Sequence, residues 1–151
     1  MAAMDLSAVR LRAAAPEDME FLFALQKAAM RPHIERVWGA WNEDKQRALF
    51  FERTDPDTHQ IIQLSGEPVG AWWVRPHADA LELVRIYLLP STQGKGIGTY
   101  LIERLVAEAR GARKAVRLRV LKGNPARRLY ERLGFVVTEE TETHDHMATT
   151  A

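Results

Sequence analysis

Apolar and polar positions along the chain follow two periods, and their succession predicts alternating strands and helices. Val9 to Ala13 suits a short first strand. Pro16 fits a first helical position, Glu17 and Asp18 fit the positive end of a helix dipole, and Met19, Leu22, Phe23 and Gln26 fall on one face of the following turns. This helix is expected to end near Met30, before Pro32. A second amphipathic helix is expected to carry Ile34, Val37, Trp38, Trp41, Ala48 and Leu49 on its apolar stripe, up to Asp55-Pro56. His59 to Leu64 and Val69 to Val74 read as a hairpin around Ser65-Gly66-Glu67-Pro68. Leu81 to Leu89 is apolar on both alternating sets apart from Glu82 and Arg85, the mark of a central strand.

Helical spacing returns at Ile97, Leu101, Leu105 and Ala109 and stops at Gly111. Val116, Leu118 and Val120 then alternate with Arg117 and Arg119, the period of a half-buried strand. Asn124-Pro125 opens a last helix with Ala126, Leu129, Tyr130 and Leu133 on one stripe, and Phe135 to Thr138 and Thr141 to Met147 complete the sheet. The predicted order is βααβββαβαββ. It implies an α/β (α+β) fold with a mixed sheet and helices on its faces.

A chain of 151 residues without repeat, low-complexity tract or linker reads as one domain over 1–151, with loose ends at about 1–8 and 148–151. Twenty-one basic against 20 acidic residues argue against a nucleic-acid or polybasic membrane partner. With no cysteine, disulfides, thiolate metal sites and a cysteine nucleophile are excluded, and the expected location is cytoplasmic. No window approaches the ~18 to 20 apolar residues of a membrane span. The balance hides an asymmetry: residues 1–92 carry 10 basic and 13 acidic groups, residues 93–135 carry 11 and 3, and residues 136–151 carry 0 and 4. The middle block is therefore +8, enough to attract a compact polyanion locally, although a solvated helix face explains it equally.

Within that block Gln93-Gly94-Lys95-Gly96-Ile97-Gly98-Thr99 joins the central strand to its helix. Glycines admit a ligand close to the backbone, and the unpaired N–H groups of a first helical turn attract phosphate. A dinucleotide fingerprint needs Gly or Ala where Thr99 stands, and a phosphate-binding P-loop needs a Gly-Lys-Ser/Thr ending that is missing. The Gln/Arg-x-x-Gly-x-Gly/Ala pattern does fit, through Gln93, Gly96 and Gly98. It follows Ile86-Tyr87-Leu88-Leu89-Pro90 and precedes Asn124-Pro125-Ala126-Arg127-Arg128-Leu129-Tyr130-Glu131-Arg132-Leu133-Gly134-Phe135 by one strand. On these two motifs the chain resembles the GNAT superfamily of acetyl-CoA-dependent N-acyltransferases, at the residue level from about Leu81 to Phe135.

The resemblance implies a mainly antiparallel sheet of about seven strands with four helices. It implies acetyl-CoA as cosubstrate, a small-molecule or peptide amine as acceptor, and leaves a homodimer open. Ile86, Tyr87 and Leu88 would flank pantetheine, an amide near Leu88 would polarise the thioester carbonyl, and the amides of Gly94, Lys95, Gly96, Ile97, Gly98 and Thr99 would hold the pyrophosphate. Asn124 would contact CoA or cap its helix. Tyr130 stands where such enzymes keep a tyrosine facing the CoA sulfur; a phenol near pKa ~10 can protonate a thiolate whose acid is near ~8.5, while a core aromatic accounts for its apolar neighbours equally.

Many relatives place a glutamate on the strand before Asn124, where this chain has Arg119 and no acid. Glu82 is the substitute base, through water, unless it is only a strand-end carboxylate in solvent. His33, Glu35 and Trp38 lie where family members line the acceptor site, although Trp38 and Trp41 on an apolar stripe are more often core. Trp72 and Trp73, being adjacent, fall on opposite faces of a strand. His144 and His146 share a strand face, but two ligands make a weak metal signal, so no metal is expected. The alternative to catalysis is a non-catalytic acyl-CoA-binding or sensing domain.

Overall fold

The computed structural model describes residues 5–151. Its strands are β1 (Val9–Ala13), β2 (Gln60–Leu64), β3 (Glu67–Pro76), β4 (Ala80–Leu88), β5 (Ala115–Leu121), β6 (Val136–Glu140) and β7 (His144–Ala148), and its helices are α1 (Met19–Trp38), α2 (Glu43–Arg53), α3 (Ile97–Gly111) and α4 (Ala126–Arg132). The order βααβββαβαββ is the one the periodicity predicts. The seven strands form one sheet, β1-β2-β3-β4-β5-β7-β6. β1 with β2, β2 with β3, β5 with β7 and β6 with β7 pair antiparallel, and β4 with β5 pairs parallel.

The chain falls into two compact units, one running to Trp73 and taking in Ile86–Lys95, the other comprising Val74–Arg85 and Gly96–Ala151. In the first, Met19, Leu22, Phe23 and Leu25 of α1 and Phe50 of α2 form a buried cluster with Ile61 and Ala71, and Trp41, Tyr87 and Leu89 pack against it. In the second, α3 buries Ile97, Leu101, Ile102, Leu105, Val106 and Ala109. β5 buries Val116, Leu118 and Val120 and exposes Arg117 and Arg119, as its alternation requires. The parallel register of β4 on β5 runs from Ala80↔Ala115 to Leu83↔Leu118, so Ile86 to Leu88 lie past the paired stretch.

Two expectations need correcting. The first helix does not end at Met30; α1 runs through Pro32 to Trp38. Proline removes the N–H that would bond the Ala28 carbonyl, but Ala28 and Pro32 are both exposed, which leaves that acceptor open to solvent and lowers the cost. The break falls at Gly39–Asn42, where Gly39 takes φ 88° and Asn42 Oδ1 accepts from Lys45 N at 3.0 Å to cap α2. Ile34, Val37 and Trp38 therefore belong to α1, and Trp38 is 78% exposed rather than core. Both described ends carry local structure. Leu6–Ala8 forms a 3₁₀ turn capped by Asp5. Ala148 closes β7, and buried Thr149 pairs with Val116 through its N–H (2.9 Å) and hydroxyl (2.9 Å). Residues 1–4 of the expected loose start lie outside the described residues.

Candidate functional site

The strand end in the first unit is braced before it reaches the glycine turn. Leu89 N donates to Val69 O at 2.8 Å, Pro90–Thr92 makes one 3₁₀ turn, and the buried Thr92 hydroxyl donates to Leu89 O at 2.9 Å. Gln93 Nε2 donates to Leu88 O at 3.0 Å, so this side chain ties the turn to the strand that precedes it. On β3, a Cβ added at Gly70 would sit 2.7 Å from Leu88 Cδ2 and closer still to the Tyr87 carbonyl oxygen. Only glycine lets the Tyr87–Leu88 backbone come this near. Sequence reading missed Gly70, for which an isolated glycine inside a strand was the available signal. Gly94 and Lys95 are exposed.

In the second unit Gly96 precedes α3 with φ 87° and ψ 2°, left-handed backbone that a side chain resists. The first intrahelical bond runs from Tyr100 N to Gly96 O at 2.9 Å, so the amides of Ile97, Gly98 and Thr99 stand ahead of it without helical acceptors. No side chain caps this end and no acidic residue lies in its first turn. A fifteen-residue helix with a bare, uncapped positive end suits an anion.

Tyr130 is half-buried in α4, its ring 5.8 Å from that of buried Phe135. Phe135 N donates to Tyr130 O at 3.0 Å, fixing the turn at Gly134. Burial raises the phenol above its ordinary pKa, and its hydroxyl has no hydrogen-bond partner among the described residues. Asn124 Oδ1 accepts from Ala126 N at 2.9 Å, the capping role, which occupies that oxygen. Asp145, unmarked by sequence, anchors this corner: it is buried on β7 and binds Lys122 Nζ at 3.2 Å and Arg127 at 2.9 Å. Burial pushes its carboxyl up, and the two cations more than offset this, leaving it below the ordinary range.

Glu82 is not a strand-end carboxylate in solvent. Its Oε1 accepts from His77 Nε2 at 2.8 Å and from Arg75 Nε at 3.1 Å, and its side chain is 17% exposed. Burial raises its pKa, but the bonds and charges of His77 and Arg75 outweigh that and hold it below the usual carboxylate range. The Lys114 ammonium bonds the His77 carbonyl at 2.9 Å and steadies the β3–β4 turn. Glu82 opens onto a cleft of about 590 Å³ on the outer face of β4, β5 and β7, with Arg117, Arg119 and His146 in its wall. Sequence reading missed His77 and Arg75 as partners because a hairpin, not spacing, brings them to Glu82.

His33, Glu35 and Trp38 all stand on the second half of α1 in the first unit. Glu35 pairs with Arg31, and Arg36 lies 3.4 Å from His33 Nδ1. Of the paired tryptophans, Trp72 is buried and donates to Gln60 Oε1 at 2.9 Å, while the Trp73 ring lies 5.5 Å from that of His59. Among the described residues, no group of three or more His, Cys, Asp or Glu side chains converges as a metal site, and no helix is long and apolar enough to cross a membrane.

The profile of the Acetyltransferase (GNAT) family matches residues 20–135. No curated protein matches the sequence. Among solved structures, the PaiA N-acetyltransferase of Thermoplasma acidophilum in complex with coenzyme A superposes with a TM-score of 0.72 at 19% identity, over 95% of this chain and 99% of its own. An N-acetyltransferase from Staphylococcus aureus Mu50 gives 0.73 at 15% identity over 93% and 100%. Naa50 of Arabidopsis thaliana, bound to the bisubstrate analogue CoA-Ac-MVNAL, gives 0.65 at 14% identity over 95% and 99%.

Proposed function

The chain belongs to the acetyltransferase (GNAT) family, and on that premise we propose that it moves an acetyl group from acetyl-CoA to a primary amine of a small molecule or peptide by direct attack. The bare N-terminus of α3 behind left-handed Gly96 carries this reading, because its free amides match a pyrophosphate. Structural neighbours bound to coenzyme A and to a CoA–peptide conjugate support the same cosubstrate and an amine acceptor. Bound acetyl-CoA would supply an activated thioester, held by the amides of Gly94 to Thr99 and flanked by Ile86, Tyr87 and Leu88.

The protein's own groups handle two protons. Glu82, held ionised by His77 and Arg75, accepts through water the proton released on attack, at the carboxylate oxygen that neither of them bonds, and passes it on to solvent. Tyr130 delivers a proton from its hydroxyl to the departing thiolate. Because burial raises its pKa, the phenol stays protonated through the working range but is a weaker acid, which limits the gain it can give.

The test is thiol release from acetyl-CoA with an amine panel, run on the parent and on Tyr130→Phe. A proton-donating Tyr130 predicts kcat down by about tenfold, the low end or just below the ~10² to 10⁴ of general acid catalysis, with KM and the melting temperature little changed. A structural tyrosine predicts unchanged kcat over the whole pH range, which removes the acid assignment.

A further inference from the structure

The cleft of the second unit has two acids in its wall, Glu82 and Asp79, and two arginines, Arg117 and Arg119, that form no ion pair among the described residues. Glu82 is neutralised by His77 and Arg75. Arg117 stands beside it in the β4–β5 register, Glu82↔Arg117. Two residues on, Arg119 lies on the same face of β5, opposite His146 in the register with β7. Neither Arg117 nor Arg119 has a carboxylate partner among the described residues. Both line the same cleft of about 590 Å³ as Glu82.

A solvated strand face explains two exposed arginines, but it does not explain their placement. In an antiparallel or parallel sheet, charges laterally opposite each other are energetically coupled, and like charges without a counter-ion are unfavourable. Here the one acid within the row is already held by two cations, so the row keeps an unbalanced positive end. Guanidinium groups bind carboxylates through paired N–H donors. The other acid in the cleft wall, Asp79, stands at the β3–β4 turn, ahead of the paired stretch and three residues before Glu82, the residue that faces Arg117.

We infer that the cleft recognises an acceptor carrying a carboxylate as well as its amine, with Arg117 and Arg119 gripping the carboxylate beside Glu82. This rests on the acetyl-transfer reading and names its substrate class. It also gives Arg119 a purpose.

Two sources supply such a group: a free amino acid, or an acidic residue next to the amine of a peptide. The experiment offers ω-amino acids of two to six carbons with their primary amides, and a peptide pair beginning Ala-Glu or Ala-Gln. Turnover is measured on the parent, on Arg117→Gln, on Arg119→Gln, on both lysine variants and on Arg53→Gln as a charge control. Binding of the same carboxylates without acetyl-CoA is followed by calorimetry.

The expected result is a KM for the acid lower than for its amide, raised roughly tenfold to a hundredfold by either glutamine variant and partly restored by lysine. Arg53→Gln leaves it unchanged. A preference confined to free amino acids, or to the Ala-Glu peptide, tells the two sources apart. Equal KM for acid and amide, or no effect of either arginine, overturns the inference and leaves acetyl transfer standing. If no amine is acetylated while calorimetry still shows arginine-dependent carboxylate binding, the acetyl-transfer reading falls and the ligand class survives. If neither is seen, both fall.

Discussion

Helix α3 and the second half of α1 are equally helical and differently held. α3 buries a residue on every turn, from Ile97 to Ala109. α1 buries Met19, Leu22, Phe23 and Leu25, all in its first two turns, and then runs on exposed through Pro32 to Trp38. What holds its tail is surface charge, through Arg31 with Glu35 and Lys27 with Glu43 of α2. Such pairs are typically worth only ~0 to 1 kcal/mol each. The contrast separates two kinds of candidate residue: those at the start of α3 sit on a helix packed along its length, and His33, Glu35 and Trp38 sit on a stretch that buries no side chain.

Truncating one apolar side chain on each helix is expected to give the largest difference between them. Leu101→Ala empties a fully buried site and is expected to cost ~2 to 5 kcal/mol, whereas Trp38→Ala is expected within ~0.5 kcal/mol of the parent in a denaturant titration. Equal losses would mean that the α1 tail is packed after all.

Next comes the function of the rigid end. A ligand bound only by the native state adds ~2.7 kcal/mol at a hundredfold excess over its Kd, so coenzyme A is expected to raise the melting temperature visibly. Gly96→Val forces a β-branched residue to φ 87° at the head of α3, where a new Cβ meets nothing within 4 Å. The variant is expected to stay folded, at a lower melting temperature, and to lose the coenzyme A shift. A parent without that shift would undo the cofactor assignment itself.

The smallest effect sharpens the account of the α1 tail. If Pro32 is tolerated only because its unpaired carbonyl meets water, Pro32→Ala restores a helical bond and is expected to stabilise by roughly 1 to 2 kcal/mol, less than the ~3 kcal/mol of a fully packed helix interior because alanine also loosens the unfolded chain. A destabilised Pro32→Ala would show that proline is holding a bend in place.

The element order, the hairpin at Ser65-Gly66 and the buried stripe of α3 were legible because each depends on neighbours within a few residues. The phosphate-type turn was legible for the same reason: Gly96 must adopt a left-handed φ, and Gly98 leaves the first turn of α3 without a side chain. Pro32 misled because its penalty depends on what surrounds the freed carbonyl, and exposure is a tertiary property. Trp38 misled because a helical stripe records periodicity but not whether anything packs against it.

The residues around Glu82 show where local reasoning stops. Its isolation in an apolar strand was visible, and so was the alternation of Arg117 and Arg119, since period 2 settles which side chains share a face of their own strand. That His77 and Arg75 reach the same carboxylate oxygen, and that Arg117 is its lateral neighbour, followed only once the hairpin and the parallel register of β4 on β5 were formed. By itself the sequence determined the elements, the glycine turn and the charge of each segment, because these are written in neighbouring residues. Only the tertiary structure decided that Glu82 is an ion-paired carboxylate and that two arginines without acidic partners stand in its cleft, because both depend on strand register, which no spacing along the chain encodes.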